Sequence, residues 1–166
     1  MIKQTDICIS KDPLIYVSRQ LTYGKTKRLS NVDCAKVVIQ KTVPHFSKLL
    51  DIPKDLMFRL SRNKGRCTGR YNHEERTVWI DPNYAWDRIL ETLAHELVHA
   101  EQYNQKRLES VYLPKKGWVS QWNGELNTNK GSTYNSYRNQ PWEQEAFGRQ
   151  KELADQVCDM LEKVQK

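Results

Sequence analysis

Residues Thr92–Asn104 read TLAHELVHAEQYN. Within them His95, Glu96 and His99 form the pattern H-E-x-x-H. Residues four apart stack on one face of a helix, so both imidazoles can reach a single ion. Glu96 sits between them, where a carboxylate can serve as a general base. A catalytic zinc takes three protein ligands and keeps one position open for water. The chain has only four histidines, so the third ligand has to be sought elsewhere.

The sequence around the motif predicts a long helix from Asn83 to Gln105. Asp81 followed by Pro82 is a good helix start. At 100° per residue, Trp86, Ile89, Leu90, Leu93, Ala94, Leu97 and Ala100 form one apolar stripe. His95 and His99 fall on the opposite side, with Arg88, Glu91 and Gln102. The histidine face is therefore expected to meet a cleft or solvent, not the main core.

Upstream, Ser30 can cap a helix whose apolar positions run from Val32 to Leu50, with Asp33 favourable in its first turn. Pro44 should kink or split that helix. A strand is predicted at Leu56–Arg62, and a hairpin at Gly69–Tyr71 and Arg76–Ile80 around the polar turn Asn72–Glu75. Residues 1–29 read as an arm, with a strand or irregular piece near Leu14–Val17 and then a basic loop. Downstream, Gly117–Trp122 alternates, with Trp118 and Trp122 on one face. The stretch NGELNTNKGSTYNSYRNQ is read as a turn and a long loop, with hairpin character. Pro141 then opens a helix that runs to about Val164.

The other histidines, His45 and His73, both precede the motif. An extended H-E-x-x-H-x-x-G-x-x-H site is excluded, because Gln102 stands where the glycine is required. A later carboxylate remains. In PWEQEAFGRQKELADQVCDML, the apolar residues make one helical stripe, and Glu143 falls inside it while Glu145, Glu152 and Asp159 fall outside. A carboxylate on a buried face is costly unless it is paired or binds a metal. A Glu held by an arginine, or one that stabilises the helix N-terminus, fits the same pattern.

Composition narrows the setting. The chain has 166 residues, enough for one domain with a real core, and a net charge of +7. The basic residues come in small groups, such as Lys106 with Arg107 and Lys115 with Lys116, which reads first as a solvated surface and second as a nucleic-acid patch. The four cysteines are far apart and form no C-x-x-C pair, so neither a zinc ribbon nor a disulfide framework is expected. No signal peptide is visible, and no run approaches the ~20 apolar residues of a membrane span. A protein of a reducing, cytoplasmic compartment is the expectation, with free thiols.

The HExxH helix followed by a helix carrying E-x-x-A, here TLAHELVHAEQY and PWEQEA, resembles the gluzincin branch of zinc metallopeptidases. It looks most like the small zincin-like metallopeptidases encoded by phages and bacteria. The order of helix, hairpin and HExxH helix is also similar to SprT-like and ImmA-like domains. The resemblance covers roughly Thr68–Asp155. Phe147 stands where many of these proteins carry Asp.

This resemblance implies an α+β zincin fold in a single domain, residues 1–166, with a small mixed sheet. It implies a Zn2+ ion held by His95, His99 and Glu143, and hydrolysis of a protein or peptide substrate with Glu96 as general base. The second donor for the oxyanion is expected from Tyr137, with Tyr134 and His73 behind it. Arg76–Ile80 is expected to be the sheet edge that takes substrate as an added strand. Trp118 and Trp122 would pack or wall the cleft. The alternatives are an ImmA-like regulatory protease, a SprT-like protease acting on DNA-bound proteins, and a non-catalytic binding protein of the same fold.

Overall fold

The computed structural model describes residues 31–61, 67–127 and 133–163. The expectations for the N-terminal arm and for Ser30 lie outside these residues, as do Cys8 and the last residue of the strand predicted at Leu56–Arg62.

Helix α1 spans Asn31–Leu49 and buries Ala35, Val38, Ile39, Thr42 and Phe46. Pro44 lies inside it and does not split it, so of the kink or split expected there the split does not occur. The reason is position. Pro44 and Gln40 are both exposed, so the carbonyl that Pro44 cannot satisfy lies on the solvent side. Ile39 and Phe46 meanwhile anchor the helix to the core on both sides of the proline.

A three-stranded mixed sheet follows: β1 (Met57–Leu60), β2 (Gly69–Asn72) and β3 (Thr77–Ile80). Its order is β1-β3-β2. β3 pairs in parallel with β1 and antiparallel with β2. The hairpin turn is held by Asn72 Oδ1, which accepts from the backbone N–H of Glu74 and of Glu75. Arg76 closes the turn with φ 47.

Helix α2 spans Trp86–Asn104. It starts three residues later than the sequence pattern suggests. Asp81 does not cap it. Its carboxylate instead accepts from the backbone N–H of Asn83 at 2.9 Å and from the side-chain amide at 2.7 Å. That local turn uses the residues that would have formed the first helical turn.

A second sheet is an antiparallel meander of β4 (Leu108–Leu113), β5 (Gly117–Trp122) and β6 (Glu125–Asn127). The β5–β6 link is Asn123-Gly124, both at positive φ (48 and 86), the backbone that a two-residue hairpin demands. Within the stretch read as a long loop lies a short helix, α3 (Tyr134–Arg138), started by a reciprocal Thr133–Ser136 capping box. Helix α4 then spans Pro141–Lys163.

The core forms where α1, α2 and α4 meet the first sheet. Val78 and Ile80 of β3, Leu93 and Leu97 of α2, and Ala146 and Val157 of α4 are all fully buried or nearly so. Burying a Leu or Val side chain stabilises by roughly 1.5–3 kcal/mol. From Thr92 to Gln102 every residue of α2 is buried, so its second face is covered as well as its apolar stripe. The fold is mixed α+β, and no helix among the described residues is long and apolar enough to cross a membrane.

One polar cluster ties these layers together. The Glu101 carboxylate of α2 accepts from the Asp51 backbone N–H at 3.0 Å and from Arg149 of α4 at 2.6 Å. Arg107 grips Glu145 with two parallel bonds, at 2.6 and 3.0 Å, and Arg149 reaches the same carboxylate at 2.8 Å. Glu145 is therefore occupied by arginines. Glu143, two residues earlier, points elsewhere.

Candidate metal centre

Helix α2 places His95 and His99 one turn apart, and the first turn of α4 brings Glu143 between them. His95 Nε2 lies 3.2 Å from His99 Nε2. Glu143 Oε2 is 3.3 Å from His95 Nε2, and its Oε1 is 3.3 Å from His99 Nε2. One ligand atom from each residue lies within 4.8 Å of the others. All three residues are buried, Glu143 at 4% exposure.

The hydrogen bonds around the rings show which nitrogens remain available. His99 Nδ1 is 2.8 Å from Gln102 Oε1, and His95 Nδ1 is 3.0 Å from Gln150 Oε1. An amide oxygen only accepts, so each Nδ1 donates and each Nε2 carries a lone pair. Two imidazole lone pairs and a carboxylate thus converge on one point. Glu143 Oε2 is buried with no hydrogen-bond donor aligned on it. Such a set of acceptors is costly without a cation. Two imidazoles and one carboxylate suit a divalent transition metal, and the group could hold such an ion.

Burial alone would raise Glu143, but where a ring proton rather than an ion fills the space between the groups, hydrogen bonds from the two imidazoles and the Tyr137 hydroxyl outweigh it and hold its carboxyl at about 2. Glu96 behaves differently. Burial pushes its carboxyl up, Glu143 adds to that, and the opposing pull of His99, His95 and the Tyr71 backbone N–H does not cancel the rise. Two carboxylates whose environments push them apart can divide the roles of ligand and proton acceptor.

Glu96 is seated by strand β2. Tyr71 offers it a backbone N–H, and Gly69 packs directly on the helix. A Cβ at Gly69 would stand 2.5 Å from Thr92 Cγ2, closer than real contacts allow. Thr92 also bonds Thr68 at 2.9 Å, fixing the strand entry to the helix.

A cleft of about 530 Å3 opens over this group. Its lining includes Gly69, Arg70 and Tyr71 of β2, then Glu96, His99 and Glu143, with Tyr134 and Tyr137 of α3 on the far side. The Tyr137 hydroxyl bonds Glu143, and burial together with that carboxylate raises its ionisation well above the ordinary phenol range. Tyr137 is therefore a proton donor at neutral pH. Tyr134 is 65% exposed.

Some expected residues lie elsewhere. The sheet edge beside the cleft is β2, not Arg76–Ile80. β3 is the central strand, with β1 on one side and β2 on the other, so its backbone groups are already used. β2 has a strand neighbour on one side only among the described residues. His73 stacks on Tyr103 at 4.2 Å and does not join the ligand group. Trp118 is 67% exposed beside Tyr112, and Trp122 packs near Arg107 and Trp142. Neither tryptophan lines the cleft. Cys34 is a free, half-buried thiol.

The structure adds residues that the sequence pattern does not single out. Gly69 and Tyr71 lie against Glu96, and Gln102 and Gln150 against the two histidines. Phe147, which stands where many proteins of the resembled family carry Asp, lies against the His95 ring at 4.6 Å, with the Arg138 guanidinium 4.8 Å from its ring centroid. Only Gln102 carried a sequence signal, since it falls on the histidine face of α2. No protein-family model, curated protein or solved structure matches the chain.

Proposed function

We propose that this protein is a zinc-dependent metallopeptidase of zincin-like architecture. The observation that carries the reading is the convergence of His95, His99 and Glu143, with Glu96 alongside and an open cleft beneath a sheet edge. Two imidazoles and one carboxylate match a catalytic zinc, which takes three protein groups and keeps a place for water. The mixed sheet packed on the HExxH helix, and the last helix bearing the third ligand, support the zincin-like arrangement.

When bound, zinc would supply a Lewis acid and lower the pKa of a water. The remaining tasks fall to the chain. Glu96, its carboxyl raised by burial, takes the proton of the attacking water and delivers it to the leaving amine. The protonated Tyr137 donates to the oxygen that gains charge as the carbonyl is attacked. Strand β2 orients an extended peptide along the cleft, its backbone serving as the template. Arginine-held Glu145 takes no part in the chemistry.

The test compares wild-type protein with Glu96→Gln. Both should carry one zinc, and only the wild type should create new peptide termini in a proteome-wide terminus survey. Equal patterns of termini from the two proteins would remove the peptidase reading. A wild type that binds no zinc would remove the metal centre itself.

A further inference from the structure

Gln102 is fully buried on the histidine face of α2, a place where an uncharged polar side chain must earn two good partners. It has them. Its amide nitrogen donates to the backbone carbonyl of Trp142 at 3.0 Å, and its amide oxygen faces His99 Nδ1 at 2.8 Å. The orientation is chemically forced. A carbonyl can only accept, so the NH2 group must face Trp142, and the oxygen must therefore face His99. An oxygen there requires a proton on Nδ1, which leaves the Nε2 lone pair directed at Glu143.

Trp142 immediately precedes Glu143. One side chain thus fixes the ring nitrogen of a ligand on α2 and the backbone that carries a ligand on α4. Gln150 repeats half of this on His95, accepting from Nδ1 at 3.0 Å from a half-buried position on α4. Both supporting groups are neutral amides, not carboxylates, so they fix the rings without adding negative charge to the site.

We infer that Gln102 is the positioning residue of the metal centre: it sets the His99 tautomer and couples that ring to the turn that presents Glu143. This rests on the metal-centre reading above. Groups in this role typically change metal affinity 10–100-fold when removed.

The experiment uses the full chain, zinc-loaded, as wild type, Gln102→Met and Gln102→Glu. Circular dichroism checks that each folds. Zinc affinity is measured by chelator competition, and the His99 Nδ1 proton is followed by NMR. A buried hydrogen-bonded imidazole proton resonates downfield and exchanges slowly with water. In wild type that signal is expected. Gln102→Met should lose it and bind zinc about 10-fold or more weakly. Gln102→Glu keeps an acceptor for Nδ1 and should keep the signal, although it cannot donate to Trp142. The inference is overturned if Gln102→Met retains both signal and affinity, or if both variants lose the signal alike, since Gln102 would then only fill space. A wild type that binds no zinc overturns the metal-centre reading and this inference with it.

Discussion

Gly69 and Glu96 lie so close together that a side chain at position 69 would crowd the acid. A Cβ there would stand 3.0 Å from Glu96 Cγ and 3.1 Å from its Oε1. The strand beside the cleft and the acid in the HExxH helix are therefore placed by each other. Gly69→Ala must push the strand away from Thr92, because that contact would be 2.5 Å. Overpacking of this kind costs about 1–3 kcal/mol. The shift should also misplace Glu96, and misplacement near 1 Å can lower turnover by about 10²-fold. Zinc content should stay near one equivalent, since the atoms nearest a Cβ at Gly69 belong to Thr92 and Glu96 and not to the three ligand residues. Metal analysis alongside peptide-cleavage kinetics checks this, and unchanged kinetics would show that β2 does not seat the acid.

Glu143 and Glu145 are two residues apart and should respond oppositely to truncation. Glu143→Ala removes one of three converging ligands and should abolish stoichiometric zinc binding. Glu145→Ala should keep the zinc and lose stability instead, because it strips Arg107 and Arg149 of a shared carboxylate. Hydrogen bonds to charged groups are each worth roughly 1.5–3 kcal/mol, and partial exposure here places the expected loss at the low end. Zinc stoichiometry and urea unfolding on the two variants decide it. Zinc retained in Glu143→Ala would break the third-ligand assignment.

How legible all this was depends on whether a feature is local. The H-E-x-x-H pair and the placement of Glu143 on a buried helical face follow from a 3.6-residue period, which any helix imposes on its own sequence. The hairpin of β2 and β3 and the Asn-Gly-type turn chemistry are local too. Sheet order is not. Nothing in Arg76–Ile80 says that β1 will pair on its outer side, so the central strand looked like an edge. β4 was hidden because Glu109 and Ser110 interrupt its apolar pattern, and its stability comes from β5. The closeness of Gly69 to Thr92 exists only once strand and helix pack, and the roles of Gln102 and Gln150 likewise span two helices.

Tyr137 touches Glu143 yet keeps 40% of its surface exposed, which suits a group that meets substrate across the cleft. Tyr137→Phe removes only the hydroxyl. Zinc should remain bound through the two histidines and Glu143. Loss of one oxyanion donor typically costs about 10²–10³ in turnover. The expected signature is a fall in kcat with KM little changed, measured on one peptide substrate. A rise in KM alone would mean that the tyrosine binds substrate without stabilising the charge that develops.

Pro44 offers a prediction in the stabilising direction. It sits inside α1 on the exposed side, and the helix runs through it unbroken. The backbone already has helical geometry there, so alanine at this position needs no rearrangement. Pro44→Ala restores a donor for the Gln40 carbonyl and removes the clash of the proline ring with the preceding turn. Proline in a helix interior is about 3 kcal/mol less favourable than alanine, and part of that is returned because proline also restricts the unfolded chain. A net gain of about 1–2 kcal/mol is expected, or a rise of roughly 2–8 °C in Tm for a chain of this size. Phe46→Ala, two residues along the same helix but fully buried, should instead cost about 3–5 kcal/mol. Thermal and urea unfolding of both variants make the comparison. If Pro44→Ala is destabilising, the helix needs its proline, and the solvent-side account of why α1 survives it is wrong.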